Sequence, residues 1–354
     1  MTKKSKGIKI ENRILGDNKK CFLIAEIGSN HNRSKATVRK LIDAAAKAKF
    51  DAVKFQIYDA EEAFSKNVTT SDVNLESMYG KGPWWKIARD KILMPRAWFE
   101  EMFDYARKMN LIPFSAVHRP EDIKFLLDLG APLFKIASID CNHLPLLKEV
   151  ARLKKPMLIS TGMAYINEID ETVKVLESLG NSKIVLLHCI SCYPPKPLIM
   201  NLRNISMLRE RYGYHVGFSD HSPMNVFSVA AVALGACVIE KHITLNRKMK
   251  GPDHPFALEP QGMIELVQSI RETEKALGSQ ERILSRDEIA ARRMIRRSIV
   301  AKVDIKKGTP IKKGMVKFSR PGTGITPNLF EKIEGRRANK DIKAETVISW
   351  RMLG

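Results

Sequence analysis

Short apolar runs recur eight times between residues 22 and 241, each followed by a stretch with helical periodicity. The runs are 22–27, 52–57, 111–115, 133–137, 157–160, 184–188, 215–219 and 236–241. The stretches between and after them lie near 34–49, 95–108, 120–129, 144–154, 167–179, 201–210, 223–234 and 260–277. In the first stretch Val38, Leu41, Ile42, Ala45 and Ala48 share one face of a 3.6-residue period. Serial βα units place helices over both faces of a parallel sheet. At this length they predict an α/β fold of the closed (β/α)8 barrel type, not an open doubly wound sheet. No G-x-G-x-x-G follows any run, which argues against dinucleotide binding. Residues 8–20 read as a two-strand cap before the first run.

The alternation stops near residue 280. The predicted organisation is a barrel domain over 1–279, a charged linker over 280–297 and a small β-rich domain over 298–354. Gly and Pro turns (Gly308, Gly314, Pro321-Gly322, Gly335) divide the last segment into short β-like runs. The net charge of +21 raises the question of nucleic acid, and residues 286–354 hold 18 Lys/Arg against 7 Asp/Glu. That basic segment carries no interleaved aromatic platform, so no nucleic-acid partner is expected; a small anionic substrate suits the charge equally. The start, MTKKSKGIKI, lacks the apolar run of a signal peptide, and the longest apolar stretch, 226–239, is too short to span a bilayer. No membrane association is expected, and the expected location is cytoplasmic. Cys21, Cys141, Cys189, Cys192 and Cys237 sit mostly in apolar segments and read as reduced.

Barrel active sites lie at the C-terminal ends of the strands. The polar residues falling there are Glu26, Asn30 and His31; Lys54 and Gln56; Lys135 and Ser138; Ser160; His188, Ser191 and Tyr193; Ser219 and His221; Glu240 and His242. Strand side chains alternate, so Glu240 and His242 share a face that Lys241 leaves, and Ser219 pairs with His221 in the same way. Lys54 and Lys135 lie in apolar strands and are expected to be buried cations requiring an anion. With Ser138, Ser160 and Ser219 they suggest a clamp for phosphate or carboxylate. His221 and His242 suggest two ligands to one divalent metal; the other reading is a pair of structural hydrogen-bonders. The long segment 58–94, with Tyr58, Tyr79, Trp84 and Trp85, is expected to cover a substrate. Cys189-Ile-Ser-Cys192 stands without a second pair and carries no metal or redox expectation.

The motifs Ala25-Glu-Ile-Gly-Ser-Asn-His31, Lys54-Phe-Gln56, Lys135-Ile-Ala-Ser138, Ser160-Thr-Gly-Met163, Leu187-His-Cys189 with Tyr193-Pro194, Gly217-Phe-Ser-Asp-His-Ser222, and Ile239-Glu-Lys-His242 through Gly251-Pro-Asp-His254 run nearly end to end. Together they resemble the sialic acid synthase family, the phosphoenolpyruvate-condensing enzymes of nonulosonic acid formation. The basic C-terminal segment with Arg320-Pro-Gly322 is similar to the family's antifreeze-like (SAF) domain. The resemblance implies a (β/α)8 barrel followed by that domain, and a homodimer in which the C-terminal domains are swapped. It also implies a divalent metal, manganese foremost with magnesium or cobalt as alternatives, held by His221 and His242. Phosphoenolpyruvate would be bound by Lys54, Lys135, Ser138, Ser160, Ser191 and Ser219. Glu26 would be the catalytic carboxylate, acting with Lys54, Lys135, His221 and Glu240. Gln56, Tyr193, Glu240 and Asp253 would face the amino sugar, and Arg320 would reach it from the partner subunit.

The chain departs from the family in three places. Leu111-Ile-Pro-Phe114 stands where many relatives have Ser-Thr-Pro-Phe, which removes a hydroxyl at Ile112 and leaves Ser115 as its replacement. Ser191 stands where others have Asn, and Asn32 follows His31 where Gly is usual. The implied reaction joins phosphoenolpyruvate to an N-acetylated hexosamine such as N-acetylmannosamine, with C–O cleavage and release of phosphate. The 6-phosphosugar, or a diacetamido-trideoxyhexose leading to legionaminic or pseudaminic acid, remain alternative acceptors. A related synthase using an aldose phosphate, or an inactive barrel that binds sugar or nucleic acid, are the other readings. Retention of Glu26, Lys54, Lys135, His221 and His242 argues against the inactive one.

Overall fold

The computed structural model describes residues 7–354, which divide into two compact units with the border between Gly278 and Ser279. The first unit opens with the antiparallel hairpin β1 (Ile8–Ile10) and β2 (Arg13–Leu15). Eight parallel strands follow: β3 (Phe22–Glu26), β4 (Ala52–Phe55), β5 (Ile112–Ser115), β6 (Phe134–Ile136), β7 (Met157–Ser160), β8 (Ile184–Cys189), β9 (His215–Asp220) and β10 (Val238–His242). Their order in the sheet is β5-β4-β3-β10-β9-β8-β7-β6. A parallel bridge between Ala116 and Lys135 joins the two ends, so the ring closes. The expected (β/α)8 barrel is the fold observed.

Each strand is buried on both faces because two apolar layers meet it. Helices Lys35–Lys47, Phe99–Lys108, Pro120–Asp128, Leu144–Arg152, Ile166–Ser178, Asn204–Tyr212, Val226–Ala233 and Pro260–Leu277 follow the eight strands in turn. The first shows how sequence sets such a helix: Ser34 accepts from the Thr37 N–H at its start, and Val38, Leu41, Ile42 and Ala45 are its buried face. Inside the ring, Phe22, Ile24, Ala52, Ile112, Phe114, Leu133, Leu158, Val185, Leu187 and Val238 form a second cluster with Ile8, Ile10 and Leu15 of the hairpin. The predicted cap is therefore the floor of the barrel. Each large apolar side chain buried there contributes roughly 1.5–3 kcal/mol. Gly217 completes this interior: a Cβ at that position would lie 2.6 Å from Leu187 and 2.7 Å from Val238.

Because the lower layers of the ring are filled, only the C-terminal ends of the strands are open to ligand. Over that face lies the segment 58–94, built of one-turn helices at Ala60–Ala63, Glu76–Tyr79 and Trp84–Ile87 and a π-turn at Ala88–Ile92.

The second unit has its own core of Ile299, Ala301, Ile305, Ile311, Val316, Ile325, Ile333, Ala338, Ile342, Ile348 and Leu353. Its two-stranded antiparallel sheet pairs β11 (Ser298–Ala301) with β12 (Val316–Ser319). Helix Arg286–Ile295 precedes the sheet; Ser285 and Glu288 cap it, and none of its residues is buried.

Candidate active site at the mouth of the barrel

Period-two alternation decides what faces the mouth. On β10, Val238, Glu240 and His242 point inward, with Lys241 outward. On β9, Gly217, Ser219 and His221 do so, with Asp220 outward. On β4, β6 and β7 the inward residues nearest the mouth are Lys54, Lys135 and Ser160. They line one cavity of about 410 Å3, together with Gln56, Ser138, Ser191, Tyr193 and Asp253. Twelve of the sequence-predicted site residues thus meet in one place. Glu26 lies beneath the cavity surface, fully buried, and reaches it through Lys54. Arg320 belongs to the second unit, in the loop after β12.

The centre of the site is a four-charge cluster. The Lys54 ammonium is 3.0 Å from Glu26 Oε2 and 3.2 Å from Glu240 Oε1, and Lys135 is 3.6 Å from the same Glu240 oxygen. Lys135 donates to Ser160 Oγ (2.8 Å), and Ser219 Oγ donates to Glu240 Oε1 (2.9 Å). Burial pushes the Glu26 carboxyl up, and Lys54 offsets this only in part, leaving it at about 7. Glu240 is equally buried, but Lys135, Lys54 and the Ser219 hydroxyl outweigh desolvation and hold it at about 2. Glu26 stays high beside an ammonium because Lys54 is shared with Glu240, which also has Lys135. One carboxyl is thus poised near neutrality and the other is a fixed anion. Burial works against the charge on Lys54, yet Glu240 and Glu26 keep its pKa above the usual lysine range. Burial lowers that of Lys135.

The two imidazoles stand 5.3 Å apart between ring centroids. His221 Nδ1 lies 2.9 Å from the Ile190 carbonyl. A carbonyl only accepts, so Nδ1 carries the proton and Nε2 keeps its lone pair. His242 Nδ1 is buried without a hydrogen-bond partner, 3.7 Å from Asp253 Oδ2. Burial lowers both rings to about 3, so both are neutral at physiological pH. Among the described residues no group of three or more His, Cys, Asp or Glu has the arrangement of a metal cage. Two neutral imidazoles, one of them with its Nδ1 buried and unpartnered, do fit a divalent ion whose other positions come from ligand and water.

Other histidines do not join them. His188 points outward from β8, its Nε2 2.7 Å from the Met200 carbonyl and its ring stacked on Phe218. His254 is held by Thr244 Oγ1 and Asn32 Oδ1. Position 32 therefore carries a structural amide where the family pattern has Gly. The expectation for Ser115 is corrected: it points away from the mouth and donates to the Phe55 carbonyl (2.8 Å). Ile112 lies in the apolar interior, below the cavity, so neither position offers the missing hydroxyl.

Some contributors were not legible in the sequence. Gly162 packs so closely that a Cβ there would collide with the hydroxyls of Ser191 and Ser138, and its N–H donates to Ser138 Oγ (3.2 Å). The signal was present in Ser160-Thr-Gly-Met163, where the glycine needs a reason. His118 lies 2.6 Å from Asp140 Oδ2 and stacks on Tyr58 with centroids 3.9 Å apart. Tyr58 and Trp84 of the 58–94 segment reach the cavity wall as the sequence led one to expect, and Phe64, which it did not single out, joins them.

Fold and site together define a barrel protein with a cavity lined by charged residues at its mouth and a small β domain later in the chain. Residues 41–282 match the profile of the NeuB family, and residues 296–354 that of the SAF domain. The chain is 37% identical over 332 residues to the N,N'-diacetyllegionaminic acid synthase of Campylobacter jejuni, covering 93% of this chain and 99% of that one. It is 34% identical over 330 residues to the pseudaminic acid synthase of the same species, covering 92% and 94%. The crystal structure of the N-acetylneuraminic acid synthetase of Leptospira borgpetersenii, in complex with citrate, superposes with a TM-score of 0.72 at 32% identity, covering 81% and 95%. The chain belongs to the NeuB family. Among the described residues no helix is long and apolar enough to cross a membrane.

Proposed function

We propose that this chain is a nonulosonic acid synthase that joins phosphoenolpyruvate to an N-acetylated amino sugar and releases phosphate. The observation carrying this reading is the convergence of Lys54, Lys135, Glu26, Glu240, His221 and His242 at one barrel mouth. Lys54 and Lys135, with the hydroxyls of Ser138, Ser160, Ser191 and Ser219, hold the donor's phosphate and carboxylate. Gln56, Tyr193, Glu240 and Asp253 face the acceptor. His221 and His242 would hold a divalent ion, manganese foremost with magnesium or cobalt as alternatives, which would supply Lewis acidity at the acceptor's aldehyde. In the reaction the C2=C3 π pair of the donor forms the new bond from C3 to the aldehyde carbon, the aldehyde C=O π pair moves to its oxygen, which takes up a proton to become a hydroxyl, and water adds at C2. The C2–O bond then breaks, and inorganic phosphate leaves. Glu26, with a pKa of about 7, takes the proton of that water, and Glu240 stays anionic to keep both lysines charged.

The resemblance to a diacetyllegionaminic acid synthase favours a 2,4-diacetamido-2,4,6-trideoxyhexose as acceptor beside N-acetylmannosamine and its 6-phosphate. Arg320 would meet the acceptor's acetamido group from the partner subunit of a domain-swapped homodimer. Purified protein, phosphoenolpyruvate and Mn2+ with a panel of these sugars tests the reading by phosphate release and product mass. Phosphate release with one acceptor is expected. No release with any of them, in protein that binds Mn2+, overturns it.

A further inference from the structure

The residues that alternate with the metal-site pair face outward, yet they are as buried as the core. Asp220 and Lys241 are each 1% exposed and are register partners on β9 and β10. Lys241 Nζ donates to Asp220 Oδ2 (2.6 Å) and to the carbonyls of Ser222 (2.7 Å) and Met224 (2.9 Å), with Ser222 Oγ at 3.2 Å. Asp220 Oδ1 accepts from the Ser222 N–H (2.8 Å), and Oδ2 also accepts from Ser228 Oγ (2.7 Å). The ammonium and both carboxylate oxygens are thus fully engaged. The contacts grip the chain on both sides of His221, at Asp220 and Ser222. They originate from the residue between Glu240 and His242.

A buried ion pair adds little net stability over apolar residues of similar volume. What it adds here is direction: the strand end carrying one imidazole is tied to the strand end carrying the other. We propose that Asp220 and Lys241 are positioning residues, a brace that fixes His221 and His242 at the separation a shared divalent ion needs. This rests on the metal reading above. Outer groups that orient ligands change metal affinity by about 10–100-fold when lost.

The test is Mn2+ binding to substrate-free, full-length protein, read from the electron paramagnetic resonance signal of free Mn2+, with Tm from circular dichroism. Lys241→Met is expected to weaken Mn2+ binding about 10–100-fold. The double variant Asp220→Asn/Lys241→Met strands no charge, so its Tm should recover most of the loss while its Mn2+ affinity does not. At saturating Mn2+ the KM for phosphoenolpyruvate should stay within about twofold of wild type, because Lys54 and Lys135 are untouched. A folded double variant with wild-type Mn2+ affinity overturns the brace. If neither variant folds, Ser228→Ala, which removes one hydrogen bond to Asp220, should still weaken Mn2+ by about threefold or more; an unchanged affinity there also overturns it. Absence of saturable Mn2+ binding by the wild type removes the metal reading, and the brace with it. That result is distinguishable from failure of the brace alone.

Discussion

Glu26 and Glu240 are two carboxyls of one kind, yet burial and lysine sharing drive them to opposite protonation behaviour. The histidines add a pH signature. His221 and His242 have folded pKa values of about 3, below the ordinary value of 6.5. Their contribution to stability is therefore complete above about pH 6.5 and is lost as pH falls toward 3. Glu26 acts the other way: held at about 7 against an ordinary 4.5, it favours the fold as pH falls through that window. Burial also lowers His31, to about 4, so three histidines against one carboxyl leave a net loss of about 2.7 kcal/mol per pH unit as pH falls between about 6.5 and 4.5. The Tm of metal-free protein should fall over that range, and His221→Gln/His242→Gln should remove most of the slope. A flat wild-type profile would contradict the burial of the pair. At Gly162 the expected outcome is kinetic. Gly162→Ala pushes against Ser138 and Ser191 and should raise the KM for phosphoenolpyruvate about tenfold or more, with a smaller effect on the acceptor. Equal changes in both KM values would count against a donor role for those hydroxyls.

At the scale of elements, the strands and the place of the cover over the mouth were readable, and the cover's internal structure was not. Period-two alternation in β9 and β10 is enough to put Ser219, His221, Glu240 and His242 on the face that lines the cavity, because a strand has only two faces. The same rule separates His188 from them, one residue out of phase with Cys189 on β8. It also turns Ser115 away from the mouth. Along β5 the alternation that buries Ile112 and Phe114 in the interior leaves Ser115 on the opposite face, whatever motif it belongs to. The 58–94 segment resisted reading because its one-turn helices carry no periodicity long enough to detect. Its side chains are held locally: Phe64 lies edge-on to Trp84 at 5.9 Å and stacks on Tyr58 at 6.4 Å. Phe64→Ala and Trp84→Ala are expected to raise the acceptor KM several-fold and leave the KM for phosphoenolpyruvate within about twofold. Parallel rises in both would assign the segment to general exclusion of water, not to the sugar.

At the scale of the whole molecule, the cores of the two units share no residue. The barrel clusters end at Ile270 and the small domain's core begins at Ile299. A chain ended at Gly278 is therefore expected to stay folded, with its helical circular dichroism retained and a cooperative melt. If Arg320 serves the acceptor, that truncation and Arg320→Ala should both depress turnover at low sugar, and saturating sugar should rescue the point variant. Collapse of the truncated barrel would show that the small domain stabilises it directly. The filled interior has one more consequence. Lys54, Lys135, Ser160 and Ser219 stand on strands whose positions the packed floor dictates, whereas Tyr58, Phe64 and Trp84 reach the same cavity from the 58–94 excursion after β4. The charged cluster and the aromatic wall are thereby built by separate parts of the chain. Exchanging one excursion for another would remodel one wall of the cavity and leave the charged cluster on the strands where it is.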